Sequence, residues 1–182
     1  MIIKKTKIEG LIEIIPPVFI DERGYFFELY QSKKFSDLRL NMSFVQDNQS
    51  FSKKNVLRGL HFQNKPYQQG KLVMAVTGKV IDVAVDLRSG SPTFGKHEKI
   101  VLDSSIHNMI YIPEGFAHGF VALEDSVFFY KCTSFYNKAS DSGIRWNDPD
   151  LNIDWEIDQP LVSEKDKSLQ TFAEFKNKVG LT

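Results

Sequence analysis

The sequence is short of the features that mark several common classes of protein. Its 182 residues include one cysteine, Cys132, which excludes an intramolecular disulfide and does not indicate a cysteine-based metal site. Its 23 basic and 23 acidic residues leave no net charge to attract nucleic acid or an anionic membrane. We therefore expect no nucleic-acid partner and no membrane partner, and any anionic ligand must be held by a local cluster of cations.

Long apolar runs are also missing. No stretch approaches the roughly 20 apolar residues that are needed to cross a bilayer. The opening residues Met1-Ile2-Ile3-Lys4-Lys5 lack the apolar core of a signal peptide. Together with the single cysteine, these absences predict a cytoplasmic protein. The hydrophobic content of 42% over this length predicts one well-filled core, and so a single domain over residues 1–182.

Most of the chain alternates apolar and polar residues, the pattern of half-buried strands. Residues 8–20 carry apolar side chains at even positions and are interrupted by Pro16-Pro17, which predicts an edge strand. A turn at 21–24 and an aromatic strand at 25–30 follow. Eight further strands are predicted, at 44–51, 56–63, 71–77, 79–87, 97–101, 109–112, 118–123 and 127–133.

Only two segments have helical periodicity. One is 32–40, with Ser32 as a possible cap, and the other is 169–179, with Leu169, Phe172 and Phe175 on one face. Many short strands with no helices between them are typical of a sandwich or a barrel. We predict a mainly β fold, an antiparallel β-sandwich or jelly-roll barrel with a few short peripheral helices.

The segment from Arg58 to Gln63 places an arginine and a histidine, His61, inside an otherwise apolar strand. Strand parity alone would send Arg58 and His61 to opposite faces. Gly59 resolves this conflict if it marks a β-bulge, a feature common beside active sites. The two side chains would then share one cavity.

Other polar groups occupy positions in or beside the predicted strands. His118 follows the turn at 113–117, Lys71 precedes an apolar run, and Asp82 alternates with valine and alanine. Each has a plain structural explanation: a histidine satisfied by a backbone carbonyl, a lysine at an exposed strand end, and a buried acid that bonds a cation or a histidine.

Two more candidates have strong structural alternatives. Tyr130 lies in an aromatic strand, where tyrosine usually packs. Asp166 lies three residues after Ser163, so it can serve as the acid of a capping box at a helix start.

A catalytic metal must be considered, because small barrels with Pro-x-Gly-x-x-His turns often hold a transition metal on histidines and a carboxylate. In this chain Gln63 stands where the second histidine of a His-x-His pair would be. A cationic Lys71 in the same cavity would also repel a divalent ion. We expect no metal.

Ten segments together resemble the dTDP-4-dehydrorhamnose 3,5-epimerase family, a branch of the cupins that works without metal, and the resemblance covers nearly the whole chain. Each is weak alone, but ten in this order are specific. They lie at 21–28, 46–48, 57–63, 69–73, 78–88, 91–95, 112–120, 130–133, 143–149 and 161–166. The resemblance implies a cupin-like fold and an epimerase that acts on a nucleotide-linked sugar without a cofactor.

The resemblance also implies roles for individual residues. His61 would be the proton acceptor, oriented by Asp166, and Tyr130 the proton donor. Lys71 would lie near the ketone oxygen. Arg58 and His118 would bind the substrate, and Asp82 would support His118. The remaining matches surround the nucleotide and diphosphate: Arg23, Glu28, Gln46, Asn48 and Lys165, with Asp141 at a position where the family often has glutamate.

The implied substrate is dTDP-4-dehydro-6-deoxy-D-glucose, epimerised at carbon 3, carbon 5 or both, in deoxysugar biosynthesis of the dTDP-L-rhamnose type. The exposed N-terminal strands and family habit predict a homodimer in which this segment reaches the neighbouring active site. Two alternatives remain open from the residues alone, a metal-dependent cupin enzyme and a cupin that binds a sugar nucleotide without catalysis.

Overall fold

The structure, a computed structural model, describes residues 1–180. It contains fourteen short or medium strands and three helices in the described chain. The strands are β1 (Ile2–Lys5), β2 (Ile12–Ile15), β3 (Phe19–Asp21), β4 (Gly24–Phe26), β5 (Gln46–Ser52), β6 (Val56–Gln63), β7 (Lys71–Thr77), β8 (Lys79–Asp86), β9 (His97–Asp103), β10 (Met109–Ile112), β11 (Phe116–Ala122), β12 (Ser126–Cys132), β13 (Asp141–Gly143) and β14 (Leu161–Val162). The helices are α1 (Ser32–Asp37), α2 (Glu164–Lys167) and α3 (Phe172–Lys178).

Two sheets face each other. The first has the order β1-β2-β10-β7-β12-β5. The second has the order β13-β6-β11-β8-β9, and β14 pairs with β6 in parallel. The other strand pairs are antiparallel, and β3 and β4 form a separate hairpin. The predicted mainly β, cupin-like antiparallel sandwich with short peripheral helices is confirmed.

Apolar side chains fill three layers around these sheets. Val73, Ile110, Phe120 and Phe128 belong to the central core between the sheets. The outer face of the second sheet packs under the C-terminal segment, and α1 inserts Phe35 against the outer face of the first. Strand β8 is buried along almost its whole length because both of its faces are covered. Among residues 1–180 no helix is long and apolar enough to cross a membrane.

The N-terminal prediction was wrong in one respect. Residues 8–20 do not form an edge strand, because β1 pairs with β2 in antiparallel register and β10 covers the other side of β2. The alternation did identify the buried face of β2, since Ile12 and Ile14 are buried. The aromatic strand predicted at 25–30 ends at Phe26.

Helix boundaries also differ from the predictions. Helix α1 begins after Gln31, and Ser32 is its first residue rather than its cap. The C-terminal helix starts at Phe172 because Thr171 and Glu174 form a capping box there, which leaves Leu169 outside it. The short helix α2 has no helical periodicity in the sequence, but the helix start that Ser163 and Asp166 indicated is present.

Candidate active site

A polar cavity opens between the two sheets. It has an inner part and an outer part, called here the inner and the outer cavity. Three residues line both parts: His61 of β6, Lys71 of β7 and Tyr130 of β12. The inner cavity, about 190 Å³, is also lined by Ser50, Arg58, His118, Gly119, Phe120 and Phe128. The outer cavity, about 350 Å³, is also lined by Gln46, Asn48, Phe62, Gln63, Gln69, Tyr136, Asp141 and Lys165.

His61 and Asp166 meet at the wall of this cavity. The Nε2 atom of His61 lies 2.8 Å from Oδ1 of Asp166, which is on α2. The other carboxylate oxygen accepts a hydrogen bond from the Gly59 backbone N–H at 3.2 Å. Burial opposes ionisation of Asp166, but the hydrogen bonds from His61 and Gly59 and the nearby imidazole hold its pKa below the usual value. An ionised Asp166 fixes which ring nitrogen of His61 faces the cavity.

The N-cap prediction at Ser163 is confirmed together with this pairing. The Ser163 hydroxyl accepts a hydrogen bond from the backbone N–H of Asp166 at 3.1 Å. The predicted role of Asp166 as the acid of a capping box is wrong, because its carboxylate bonds His61 and the Gly59 N–H and not the N-cap backbone. One short helix turn thus carries both the structural role and the contact with the histidine.

Gly59 forms the predicted bulge. His61 pairs with His118 and Arg58 pairs with Phe120, so Gly59 and Leu60 together oppose Gly119. This extra residue reverses the strand parity and turns Arg58 and His61 toward the same inner cavity. Gly59 has φ of 137°, and a Cβ there would lie 2.6 Å from Cα of Gly119. Only glycine fits this position without moving a strand.

Gly59→Ala is therefore expected to destabilise the fold by about 2–4 kcal/mol, because it adds a backbone clash to an unfavourable φ. Urea denaturation measures the change. Gly24→Ala is the matched control, since Gly24 has a similar φ of 127° but open space where the added methyl group would stand. Equal losses for the two variants would contradict the close-packing explanation.

Lys71 is the first residue of β7 and points toward the cavity with the inward-facing Val73 and Ala75. Burial lowers the pKa of its ammonium group, while Cys132, Asp82 and Asp141 act in the opposite direction. Its Nζ atom lies 5.8 Å from the centre of the Tyr130 ring. The cavity thus contains a half-buried lysine beside a phenol.

Tyr130 faces His61 from the opposite sheet. Its strand places Phe128 and Cys132 on the same inward side, and Asn48 is its register partner on β5. Burial raises the pKa of the Tyr130 hydroxyl, so its proton is held more firmly than in water.

A second histidine–carboxylate pair lies next to the first. His118 on β11 is the register partner of His61, and its Nε2 atom lies 2.7 Å from Oδ2 of Asp82. Burial lowers the pKa of His118, and the Asp82 charge works against that effect. Oδ1 of Asp82 is buried without a hydrogen-bond partner within residues 1–180.

Arg58 is an exposed residue that lines the inner cavity and is anchored by two hydrogen bonds. Its Nε donates to the buried hydroxyl of Ser52 at 3.0 Å, and a terminal nitrogen donates to the Phe51 carbonyl at 3.1 Å. These bonds orient the guanidinium and leave other N–H groups for a ligand.

The outer cavity has a chain of polar contacts. Gln46 donates to Oδ1 of Asn48 at 2.9 Å and accepts from the Tyr136 backbone N–H at 2.8 Å. Asp141 accepts from Lys165 at 2.6 Å and from the Tyr136 hydroxyl at 3.3 Å. Four residues predicted to contact the nucleotide or diphosphate line this outer cavity: Gln46, Asn48, Asp141 and Lys165.

Arg23 and Glu28 are not brought to this cavity within the described chain. Arg23 lies in the turn of the β3–β4 hairpin and pairs with Asp21, and Glu28 pairs with Lys34 on α1. Both lie in or just after the exposed hairpin.

Sequence reasoning missed Tyr136 as a cavity residue and assigned no role to Gln69 or Ser50. Tyr136 follows the end of β12 in an irregular loop, where no periodicity indicates which way a side chain points. The signal for Gln69 was its place beside Lys71 in one of the matching segments. Ser50 could have been found by alternation from Gln46 and Asn48 along β5.

The Gln63 side chain forms hydrogen bonds with two loops. Its side-chain nitrogen donates to the Tyr67 carbonyl at 2.6 Å and to the Phe135 carbonyl at 3.2 Å, and its oxygen accepts from the Asn137 N–H at 2.7 Å. Within residues 1–180 there is no group of three histidine, cysteine or acidic side chains placed to hold one metal ion.

The dTDP-4-dehydrorhamnose 3,5-epimerase family model matches residues 5–174. The chain belongs to this family. A dTDP-4-dehydrorhamnose 3,5-epimerase of Shigella flexneri is 48% identical over 172 residues, which cover 93% of this chain and 95% of that protein. The prediction of an epimerase of this family is confirmed.

Solved structures of family members are similar over nearly the whole chain. The dTDP-4-dehydrorhamnose 3,5-epimerase of Elizabethkingia anophelis has 49% identity and a TM-score of 0.91, with 96% of this chain and 97% of that chain covered. A dTDP-6-deoxy-D-glucose-3,5-epimerase of Legionella pneumophila, solved with dTDP-4-keto-L-rhamnose, has 43% identity and a TM-score of 0.92, with coverage of 97% and 95%.

Proposed function

We propose that the protein inverts carbon 3, carbon 5 or both, on either side of the 4-keto group of a dTDP-4-dehydro-6-deoxyhexose. The proposed substrate is dTDP-4-dehydro-6-deoxy-D-glucose, and the proposed setting is deoxysugar biosynthesis of the dTDP-L-rhamnose type. The observation that carries this proposal is the pairing of His61 with Asp166 at 2.8 Å in a cavity shared with Lys71 and Tyr130.

The first step is removal of a proton from the carbon beside the ketone. Histidine is a suitable base near neutral pH, and a carboxylate behind it stabilises the imidazolium that forms. His61 has this arrangement, with one ring nitrogen on Asp166 and its side chain at the cavity wall. We assign His61 as the base and Asp166 as the residue that orients it.

The enolate that results carries negative charge on the former ketone oxygen. A preorganised cation in a site shielded from water stabilises such a charge well. Lys71 is half-buried and lines both the inner and the outer cavity, as His61 does. We assign Lys71 to this oxygen. The reaction moves protons and no electrons, so the proposal requires no redox cofactor, and it places no metal at this oxygen.

Lys71→Met is expected to lower kcat about 10²–10³-fold, the usual loss when a group that stabilises an oxyanion is removed. Steady-state kinetics on dTDP-4-dehydro-6-deoxy-D-glucose provides the measurement. Lys131→Met is the matched control, because Lys131 lies on the adjacent strand, pairs with Asp47 and does not line either cavity. A similar loss in both variants would mean that Lys71 acts through general charge or stability.

Inversion requires the proton to return on the opposite face of the sugar. Tyr130 stands on the sheet across the cavity from His61 and keeps its proton until the enolate forms. We assign it as the acid. Arg58 and His118, supported by Asp82, are proposed to bind the sugar in the inner cavity. Gln46, Asn48 and Lys165 are proposed to contact the nucleotide diphosphate in the outer cavity.

We also propose a homodimer in which the β3–β4 hairpin reaches the neighbouring active site. Phe19, Ile20, Tyr25 and Phe26 of this hairpin are 61–82% exposed, and exposed apolar clusters of this kind mark interaction surfaces. Arg23 and Glu28 would then serve the partner's nucleotide site. Sedimentation at micromolar concentration should give a dimer that Ile20→Asp weakens, whereas a fully active monomer would contradict the proposal.

Solvent exchange tests the catalytic proposal as a whole. In D₂O the purified protein should incorporate deuterium at carbon 3, carbon 5 or both of dTDP-4-dehydro-6-deoxy-D-glucose, and NMR of the product identifies the carbons. The absence of both deuterium and an epimerised product would refute the function. We retain the cytoplasm as the proposed location.

A further inference from the structure

Asp141 is out of place for a residue that binds an anionic ligand. It is the only acidic side chain among the described residues that line the outer cavity, where the diphosphate is proposed to bind. A carboxylate repels phosphate oxygens unless a cation stands between them. The structure shows what Asp141 binds instead, which is Lys165 at 2.6 Å.

The two side chains of this ion pair differ in how freely they can move. Asp141 begins β13, which pairs with β6 so that Asp141 is opposite Gln63, and its side chain is 18% exposed. The Tyr136 hydroxyl also donates to the same carboxylate oxygen. Lys165 is 62% exposed and has a long flexible side chain on the short helix α2. When an anion arrives, the lysine can therefore swing while the aspartate remains in place.

We propose that Asp141 is a competing counterion, which holds Lys165 before the ligand binds and lowers the affinity for the diphosphate by the cost of releasing it. This inference rests on the proposed function and deepens it. The ion pair opposes binding of substrate, transition state and product alike, since all three carry the same diphosphate. It therefore raises KM and speeds product release without changing the chemical step.

If Asp141 contacted the ligand favourably, its replacement would weaken dTDP binding, whereas a competing counterion predicts tighter binding. Asp141→Asn should lower the dissociation constant of dTDP about two- to fivefold, the size expected for a partly exposed ion pair. Asp141→Glu, which retains the charge, should stay near the wild-type affinity. Isothermal titration calorimetry with dTDP measures this, and thymidine, which lacks the diphosphate, should show no gain.

Two further variants test whether Lys165 transmits the effect. In a Lys165→Met background the gain from Asp141→Asn should disappear, because no lysine remains to be released. Asp47→Asn removes the same charge from an acid on β5 that pairs with Lys131 of β12 and does not line the cavity. It should not tighten dTDP binding.

Each result of these dTDP-binding measurements either supports or contradicts the role proposed for Asp141. Unchanged or weaker dTDP binding by Asp141→Asn overturns it, as does a gain that persists without Lys165 or that Asp47→Asn reproduces. Those results would leave the epimerase proposal intact, because the wild-type protein would still bind dTDP. Failure of wild type and Asp141→Asn alike to bind dTDP would overturn both the inference and the proposed nucleotide site.

Discussion

His61→Ala is expected to lower kcat by about two to four orders of magnitude, the usual contribution of a general base. The same variant should lose solvent deuterium exchange at the carbons beside the ketone, because the imidazole that takes the proton is gone. His118 is its register partner, but its Nε2 atom is already committed to Asp82 and burial lowers its pKa. Near-wild-type activity in His61→Ala would refute the assignment.

The Asp166 carboxylate provides the internal control for this prediction. Asp166→Asn keeps the shape of the side chain but removes the charge that stabilises a protonated His61. If the two residues act as one unit, the double variant His61→Ala/Asp166→Asn should be no slower than His61→Ala alone. Additive losses would show that they act separately. Circular dichroism and urea denaturation of each variant distinguish lost chemistry from lost fold.

The strands were the most predictable part of the fold. The bounds of β6, β7 and β10 match those predicted from the sequence. These strands lie inside the two sheets, where burial enforces the alternation of apolar side chains. At the N-terminus the prediction failed because β1 is a mostly exposed strand, so its sequence carries no burial pattern.

Most residues that line the candidate site could be named from the sequence, but Arg23 and Glu28 lie away from it, Tyr136 was missed, and the arrangement could not be predicted. The bulge at Gly59 could be anticipated because two polar side chains conflicted with strand parity. The meeting of His61 with Asp166, 105 positions apart, depends on β14 pairing with β6, which places α2 beside that strand. Two-residue strands such as β14 carry no periodicity, so this contact followed only from the resemblance to the family.

Tyr130→Phe is expected to separate proton exchange from inversion. The base on one sheet remains intact, so it still removes the proton and exchanges it with solvent. The enolate then receives deuterium back only from the side of His61, which restores the original configuration. Inversion should fall about 10²–10⁴-fold, the contribution of a general acid, while exchange at the same carbon is retained to a much larger extent.

This prediction depends on the position of Tyr130 across the cavity more than on its acidity. NMR of recovered substrate and product in D₂O measures both quantities in one reaction. Tyr136→Phe is the matched control, because Tyr136 also lines the outer cavity but donates to Asp141 at its edge. It should keep exchange and inversion coupled. Equal losses of exchange and inversion in Tyr130→Phe would show that Tyr130 supports enolate formation itself, and another group would have to return the proton.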